Sequence, residues 1–260
     1  MSGILTLDIG NSDTVAVLYG RDGKRRADLR RPSIKEDNFK KYRLYFRDLN
    51  DEFNESQPEA VILSCVVPFL RDTVLRVMEE MYPESRIINV APGIVPEMNV
   101  LLEEPRELGA DLIATNAGAY HKYRDWTIIA DLGSATKLGV IDGDFNFYGG
   151  VIIPGIAFQA RSLHQMIPHL PDIELKKPER IIGSDTIGSI QSGIINGTLA
   201  AVLELARRIE TEMGHPCRKV ITGGLAKLFD PADLEDFQYD EFLLSEGLFQ
   251  IALCQLDTSF

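Results

Sequence analysis

Two short segments of this chain repeat one another and limit what it can become. Asp8-Ile9-Gly10-Asn11-Ser12 closes an apolar run that starts at Ile4, and Asp131-Leu132-Gly133-Ser134 closes another that starts at Thr127, with 123 residues between the two aspartates' positions. Self-similarity of this kind is the mark of a repeated architecture. Each copy sets a carboxylate at the end of a buried strand, then a glycine where backbone N–H groups can approach a ligand, then a hydroxyl. One such turn by itself would read as an ordinary strand ending. Two of them, a domain apart, read as anion-binding concavities in which the Asp holds a metal ion or water beside the anion, and a facing pair would clamp one polyphosphate. Gly223-Gly224, after the strand Val220-Ile221-Thr222, is a third glycine turn. It reads either as a bed for a flat adenine ring or as a plain strand-to-helix turn. The chain has no GxxxxGK[ST] and no strand-GxGxxG-helix unit, so the P-loop and dinucleotide routes to phosphate binding do not apply.

The elements around these turns alternate. Ile4–Ile9 and Thr14–Tyr19 read as a hairpin across Gly10–Asp13. Ser33 with Glu36 fits a capping box ahead of a helix whose Phe39, Tyr42, Phe46, Leu49 and Phe53 recur at spacings of three and four, a core stripe. A strand over 60–67, a helix over 69–81, a strand over 86–90 and a helix over 105–123 with Pro near its start follow. The second half begins again with strands over 127–130, 137–141 and 145–153 and a helix after Pro154-Gly155. A Pro-containing connection (171–183), a long helix (186–213), a strand (219–222) and a closing helix (241–256) complete it. The alternation predicts an α/β chain. Its 260 residues suit about two domains, drawn at 1–123 and 124–260.

Charge narrows the partners. Lys and Arg total 27 against 39 Asp and Glu, a formal net charge of -12, which repels a phosphate backbone, so nucleic acid is not an expected partner. The basic run from Arg21 to Arg43 reads as a solvated face, with a nucleic-acid patch as its alternative. Cys65, Cys217 and Cys254 lack CxxC spacing, and His121, His164, His169 and His215 lack ligand spacing, so neither a zinc site nor a disulfide framework is expected. No run of 18 apolar residues occurs and no basic start precedes an apolar stretch, so neither a membrane span nor a signal peptide is expected. The expected location is the cytoplasm.

The order of motifs along the chain carries a resemblance. It runs Asp8-Ile9-Gly10-Asn11-Ser12, Ser64-Cys65-Val66-Val67-Pro68, Pro105-Arg106-Glu107-Leu108-Gly109-Ala110-Asp111 and Asp131-Leu132-Gly133-Ser134-Ala135-Thr136. It continues with Gly149-Gly150-Val151-Ile152-Ile153-Pro154-Gly155, Leu170-Pro171, Gly183-Ser184-Asp185-Thr186, Gln191-Ser192-Gly193 and Thr222-Gly223-Gly224. Over nearly the whole chain this is similar to the motif order of type III pantothenate kinases. The resemblance implies an α/β fold of two ribonuclease H-like (actin-like ATPase) domains with a nucleotide cleft between them, as in the acetate and sugar kinase/Hsp70/actin superfamily, and a homodimer. It implies ATP, Mg2+ or another divalent cation, a monovalent cation (K+ or NH4+), and phosphorylation of the hydroxyl of pantothenate, the first step of coenzyme A synthesis. By position it implies that Asp111 accepts the proton of that hydroxyl. Asp8, Ile9, Gly10, Asn11, Ser12, Asp13, Thr14 and Val15 would wrap the ATP phosphates, with Asp8 near the divalent metal. Asp131 would hold the monovalent cation, Ser134 would contact ATP, and Gly109, Ala110 and Thr186 would join Asp111 at the substrate, with positions 102 and 112 beside them.

The chain departs from that pattern at a few positions. Leu102 stands where the family usually has Tyr, Leu112 where an Arg follows the Asp, Ser134 and Lys137 where Thr is usual, and Asp185 where Asn is usual. Leucine cannot replace the fork of donors that an Arg offers a carboxylate. Lys137 puts a cation beside the second turn, where it could stand in for K+. Two readings follow: a small-molecule kinase acting on pantothenate or a related hydroxyl compound, and a catalytically weak nucleotide-binding paralog with a regulatory role. Asp8, Asp111 and Asp131 favour the first; Leu102 and Leu112 favour the second.

Overall fold

A computed structural model describes residues 3–54 and 57–257. It contains one strand arrangement twice. The first sheet is built from β1 (Ile4–Ile9), β2 (Asp13–Tyr19), β3 (Arg25–Pro32), β4 (Ala60–Cys65) and β5 (Arg86–Asn89) in the order β3-β2-β1-β4-β5. The second has β6 (Asn99–Val100), β7 (Thr127–Leu132), β8 (Ala135–Ile141), β9 (Asn146–Pro154), β10 (Arg218–Thr222) and β11 (Phe237–Tyr239) in the order β11-β10-β7-β8-β9-β6. In each, three consecutive strands form an antiparallel meander, and two later strands add in parallel to the free edge of the first. The repeated phrase in the sequence is thus a repeated topology, with Asp8 and Asp131 at matching strand ends.

Alternation along the strands decides what each face meets. Leu5, Leu7 and Ile9 share a core with Tyr42, Phe46 and Leu49 of α1 (Phe39–Phe53) and Val74 of α2 (Pro68–Met81). Asp8 therefore points to the opposite face. In the second sheet Ile128, Ala130 and Leu132 pack with Ile156 and Ala160 of α4 (Ile156–Met166) and Ile195, Leu199 and Val202 of α5 (Thr186–Met213), which sends Asp131 the other way. The aromatic stripe read from the sequence is core, as expected: Tyr42, Phe46 and Leu49 are buried, and Phe39 and Phe53 pack against them.

The chain divides into two compact units, one gathering Met1–Asn99, Glu103–Lys122 and Leu243–Phe260, the other Val100–Leu102 and Tyr123–Phe242. The boundary drawn at 123 falls one residue from the Lys122/Tyr123 division, but the last helix, α6 (Leu243–Asp257), returns to the first unit. The reason is a close backbone approach with α3 (Ala110–Tyr123). A Cβ on Gly118 would stand 2.2 Å from the carbonyl oxygen of Leu243, and one on Gly247 1.8 Å from that of Ala114. The Tyr19 and Ser245 hydroxyls hydrogen-bond at 2.8 Å, and Tyr19 packs on Phe249.

Other expectations need correction. The helix expected over 105–123 is a 3-10 turn, Pro105–Glu107, broken by extended Leu108, and α3 starts only at Ala110. Ser33 caps no helix; α1 is capped by Asn38, whose side chain accepts from the Lys41 N–H. Residues 25–32, read only as charge, form the edge strand β3, with Ala27 and Leu29 turned to the core and Arg30 and Arg31 paired with Asp13 and Glu52. Charged side chains on an edge strand also discourage pairing with another sheet. The short strand β11 had no signal in the sequence. Among the described residues α5 is the one helix long and apolar enough to cross a membrane by length and composition, although polar residues interrupt it and it holds no unbroken run of 18 apolar residues. Its Ile195, Thr198, Leu199, Val202 and Ala206, spaced three and four apart, are buried, the periodicity of a helix packed on one face.

Two predictions test this packing. Gly118→Ala adds the better helix former, yet the Cβ meets a backbone carbonyl, so it should lower stability by about 1–3 kcal/mol, read as a drop in Tm. The second concerns the β8–β9 turn, where the Asp142 carboxylate accepts from the N–H groups of Asp144 and Asn146, the Asn146 amide and the Tyr148 hydroxyl. Burial pushes this carboxyl up, but the hydrogen bonds outweigh it and hold the group below the usual carboxylate range. A depressed folded pKa means stability that is present above the unfolded value, about 3.9, and lost as pH falls through the lower folded value. The stability gap between the wild type and Asp142→Asn in urea melts should be widest near neutral pH and narrow below about pH 4.

Candidate functional site

In the first unit the strand-end turn is held from two sides. Asp8 lies directly across from Ser64 on the parallel strand β4, and the buried Ser64 hydroxyl donates to Asp8 Oδ1 at 2.8 Å. The turn closes through the Gly10 N–H to the Asp13 carbonyl at 2.9 Å. Ser33, at the far end of β3, pins it: its hydroxyl donates to the Gly10 carbonyl at 2.7 Å and meets the Thr14 hydroxyl at 3.1 Å, while its N–H reaches the Ser12 carbonyl. Asn11 and Ser12 are exposed, Asp13 and Val15 half-buried, and Ile9 and Thr14 buried. The result is a rigid polar turn with its tip presented to solvent. Ser33 was missed as a site residue because its role depends on the return of β3, which its local sequence does not reveal.

Asp111 also belongs to the first unit. The break at Leu108-Gly109 places it in the first turn of α3 rather than inside a longer helix, where the positive end of the helix dipole favours a carboxylate. Its Oδ1 accepts from the Leu112 N–H at 2.8 Å, and its carbonyl accepts from the Thr115 hydroxyl. The carboxylate folds back over Gly109, where a Cβ would stand 2.7 Å from Oδ1. Gly109 is thus what lets this carboxylate adopt its position, with Ala110 buried and Leu112 half-buried beside it.

The second unit repeats the turn with different supports. Asp131 lies opposite Lys137 on the antiparallel strand β8, and Lys137 Nζ is 3.0 Å from Asp131 Oδ2, the two side chains being only 15% and 16% exposed. Gly223, with φ of 93°, leaves no room for a side chain: a Cβ would be 2.6 Å from both Asp131 Oδ1 and the Leu132 carbonyl. Gly155, the N-cap of α4, comes as close to the carbonyls of Gly133 and Ser134. Ser134 is exposed at the tip. The structure thus brings Asp131, Ser134 and Lys137 together, with Gly223 packed against the carboxylate. Thr186 is exposed at the start of α5, where Asp185 caps the helix by accepting from the Gly188 N–H at 2.7 Å. An open cavity of about 770 Å³ there is lined by Leu163, Leu170, Gly183, Ser184, Asp185 and Thr186, among others. Leu102, which belongs to the second unit, lies over Gly149, whose φ is 109°.

The ions implied by resemblance fit these residues unequally. Asp8 offers a hard carboxylate oriented by Ser64. Among the described residues no group of three or more His, Cys, Asp or Glu could hold a metal ion, so a divalent ion at Asp8 would be bound mainly by phosphate oxygens and water, the usual manner of Mg2+. Asp8 fits that role. Asp131 does not fit the monovalent cation assigned to it, because the Lys137 ammonium already sits on its carboxylate. Two unit charges of like sign about 4 Å apart repel by roughly 4 kcal/mol at an effective dielectric constant of about 20.

Known proteins give this geometry a context. The model of a family described as type III pantothenate kinase matches residues 4–208. The chain is 33% identical over 248 residues to a type III pantothenate kinase of Myxococcus xanthus, covering 94% of this chain and 96% of that one. It is 31% identical over 252 residues to one of Hyphomonas neptunium, covering 95% and 98%. Among solved structures an archaeal actin homolog aligns with a TM-score of 0.54 at 12% identity, covering 97% of this chain and 99% of that one. That likeness is one of fold, and the two units are actin-like domains.

Proposed function

The chain belongs to the type III pantothenate kinase family, and on that footing we propose that it transfers the terminal phosphoryl group of ATP to the hydroxyl of pantothenate. The observation that carries this reading is the pair of buttressed strand-end turns together with an Asp in the first turn of α3. Asp111 is suited to orient an acceptor hydroxyl and take its proton, which is the work left to a protein side chain when phosphoryl transfer is mainly positioning and charge stabilisation. The N–H groups of the 10–13 turn and the hydroxyls of Ser12 and Ser134 are suited to phosphate oxygens. A divalent ion carried on Asp8 would neutralise charge on those oxygens. Thr186, at the rim of the α5 cavity, is suited to hydrogen-bond the acceptor.

The remaining assignments belong to the same reading. Ile152, Phe158, Met166, Ile181 and Ile182 of the second unit are large apolar side chains left exposed, which supports a homodimer formed through that unit. Free thiols at Cys65, Cys217 and Cys254, the Cys217 thiol pushed up to about 11 by burial, suit a reducing compartment, and we place the protein in the cytoplasm. Leu112, directly after Asp111, favours a second reading, a nucleotide-binding relative with little turnover.

ATP consumption with Mg2+, measured with pantothenate, with no acceptor and with other hydroxy acids and polyols, separates the two. Pantothenate-dependent turnover supports the first reading; nucleotide binding without turnover on any acceptor supports the second. On the first reading Asp111→Asn should lower kcat by about 100-fold or more and leave nucleotide affinity unchanged. Gly109→Ala, which displaces the flexible carboxylate rather than backbone, should lower kcat about tenfold, roughly 1.4 kcal/mol, with little change in Tm. An unchanged kcat in Asp111→Asn removes that residue from the mechanism.

A further inference from the structure

The two strand-end aspartates occupy matching places in the duplicated topology, but their neighbours differ. Across the antiparallel pair, Asp8 faces Val15, whereas Asp131 faces Lys137. Residues opposite one another on antiparallel strands share a face and touch, and here the contact is an ion pair of 3.0 Å between largely buried side chains. The carboxylate is confined on its other side as well, because its Oδ1 fills the space above the Cα of Gly223. A lysine in a strand with a fixed register, facing a carboxylate that cannot swing aside, delivers its ammonium to one place.

We propose that Lys137 is the built-in monovalent cation of this enzyme. Its ammonium supplies, at the Asp131 turn, the single positive charge that the resemblance assigns to K+ or NH4+, and it makes the protein independent of both. An ammonium head group and a bound NH4+ ion have the same charge and the same N–H donors, and tethering replaces ion binding with an intramolecular contact that is always present. Lys137 acts as a positioning residue: it holds Asp131 and sets the charge of the turn that carries Ser134. The inference rests on reading Asp131–Ser134 as a nucleotide-binding turn, and its test is chosen to be independent of the acceptor.

The experiment measures nucleotide affinity with a fluorescent ATP analogue and Mg2+, and ATP-induced rise in Tm, at constant ionic strength in K+, NH4+, Na+ or tetramethylammonium. The wild type should differ by less than twofold between these salts. Lys137→Thr and Lys137→Met should bind at least tenfold more weakly in tetramethylammonium. In Lys137→Thr, which leaves room and an oxygen for an ion, K+ or NH4+ should restore affinity saturably. A wild type that binds tenfold more tightly in K+ overturns the proposal even if both variants fail to fold, and so do variants that bind like the wild type without K+. If nucleotide binds as expected but pantothenate is not phosphorylated, the substrate assignment fails and Lys137 keeps its role; if no salt supports nucleotide binding, the inference about Lys137 fails with the turn itself.

Discussion

The first unit is organised by a contact that only glycine permits. Gly118 and Gly247 let α3 and α6 approach until backbone nearly touches backbone, and α6 then lies against β1, β2 and β4. That brings the C-terminal helix back to a unit whose strands were laid down some two hundred residues earlier. It also fixes α3, and with it the helix start from which Asp111 projects. Helices packed this closely cannot slide without steric clash, so the carboxylate at the helix start inherits the rigidity of the helix pair.

Duplication of topology did not produce duplication of chemistry. The strand-end turn of the first unit is held by hydroxyls: Ser64 on Asp8, and Ser33 on the Gly10 carbonyl. The equivalent turn of the second unit is held by an ammonium and by close backbone, with Lys137 on Asp131 and Gly223 and Gly155 pressed against the turn. Hydroxyls leave the charge of a carboxylate in place for a metal ion, whereas an ion pair cancels it. One strand-end carboxylate is therefore left open to a divalent cation, whereas the other is already occupied by a tethered ammonium and does not suit a free cation.

Particular residues mark how far the sequence could be read. The core stripe of α1 follows from spacing alone, because burial on one face requires that spacing. The position of Asp111 in a helix also follows from pattern, but its place in the first turn does not, since the break at Leu108 depends on backbone angles that Pro105 and Gly109 permit without dictating. Ser33 shows the opposite error: Ser followed three residues later by Glu satisfies the capping pattern, yet the residue spends its hydroxyl on a turn more than twenty positions away.

By itself the sequence determined the α/β alternation, the duplicated Asp-Gly turns, the family and the identity of the departures at Leu102, Leu112 and Lys137. These are readable because hydrophobic period and motif order are properties of neighbouring residues. Only the tertiary structure decided that α6 belongs to the first unit, that Ser33 pins the Gly10–Asp13 turn, and that Lys137 lies on Asp131. Each of these is a contact between segments brought together by strand register and helix packing. A pair of side chains becomes an ion pair when the register places them on the same face at 3 Å, and composition carries no information about register.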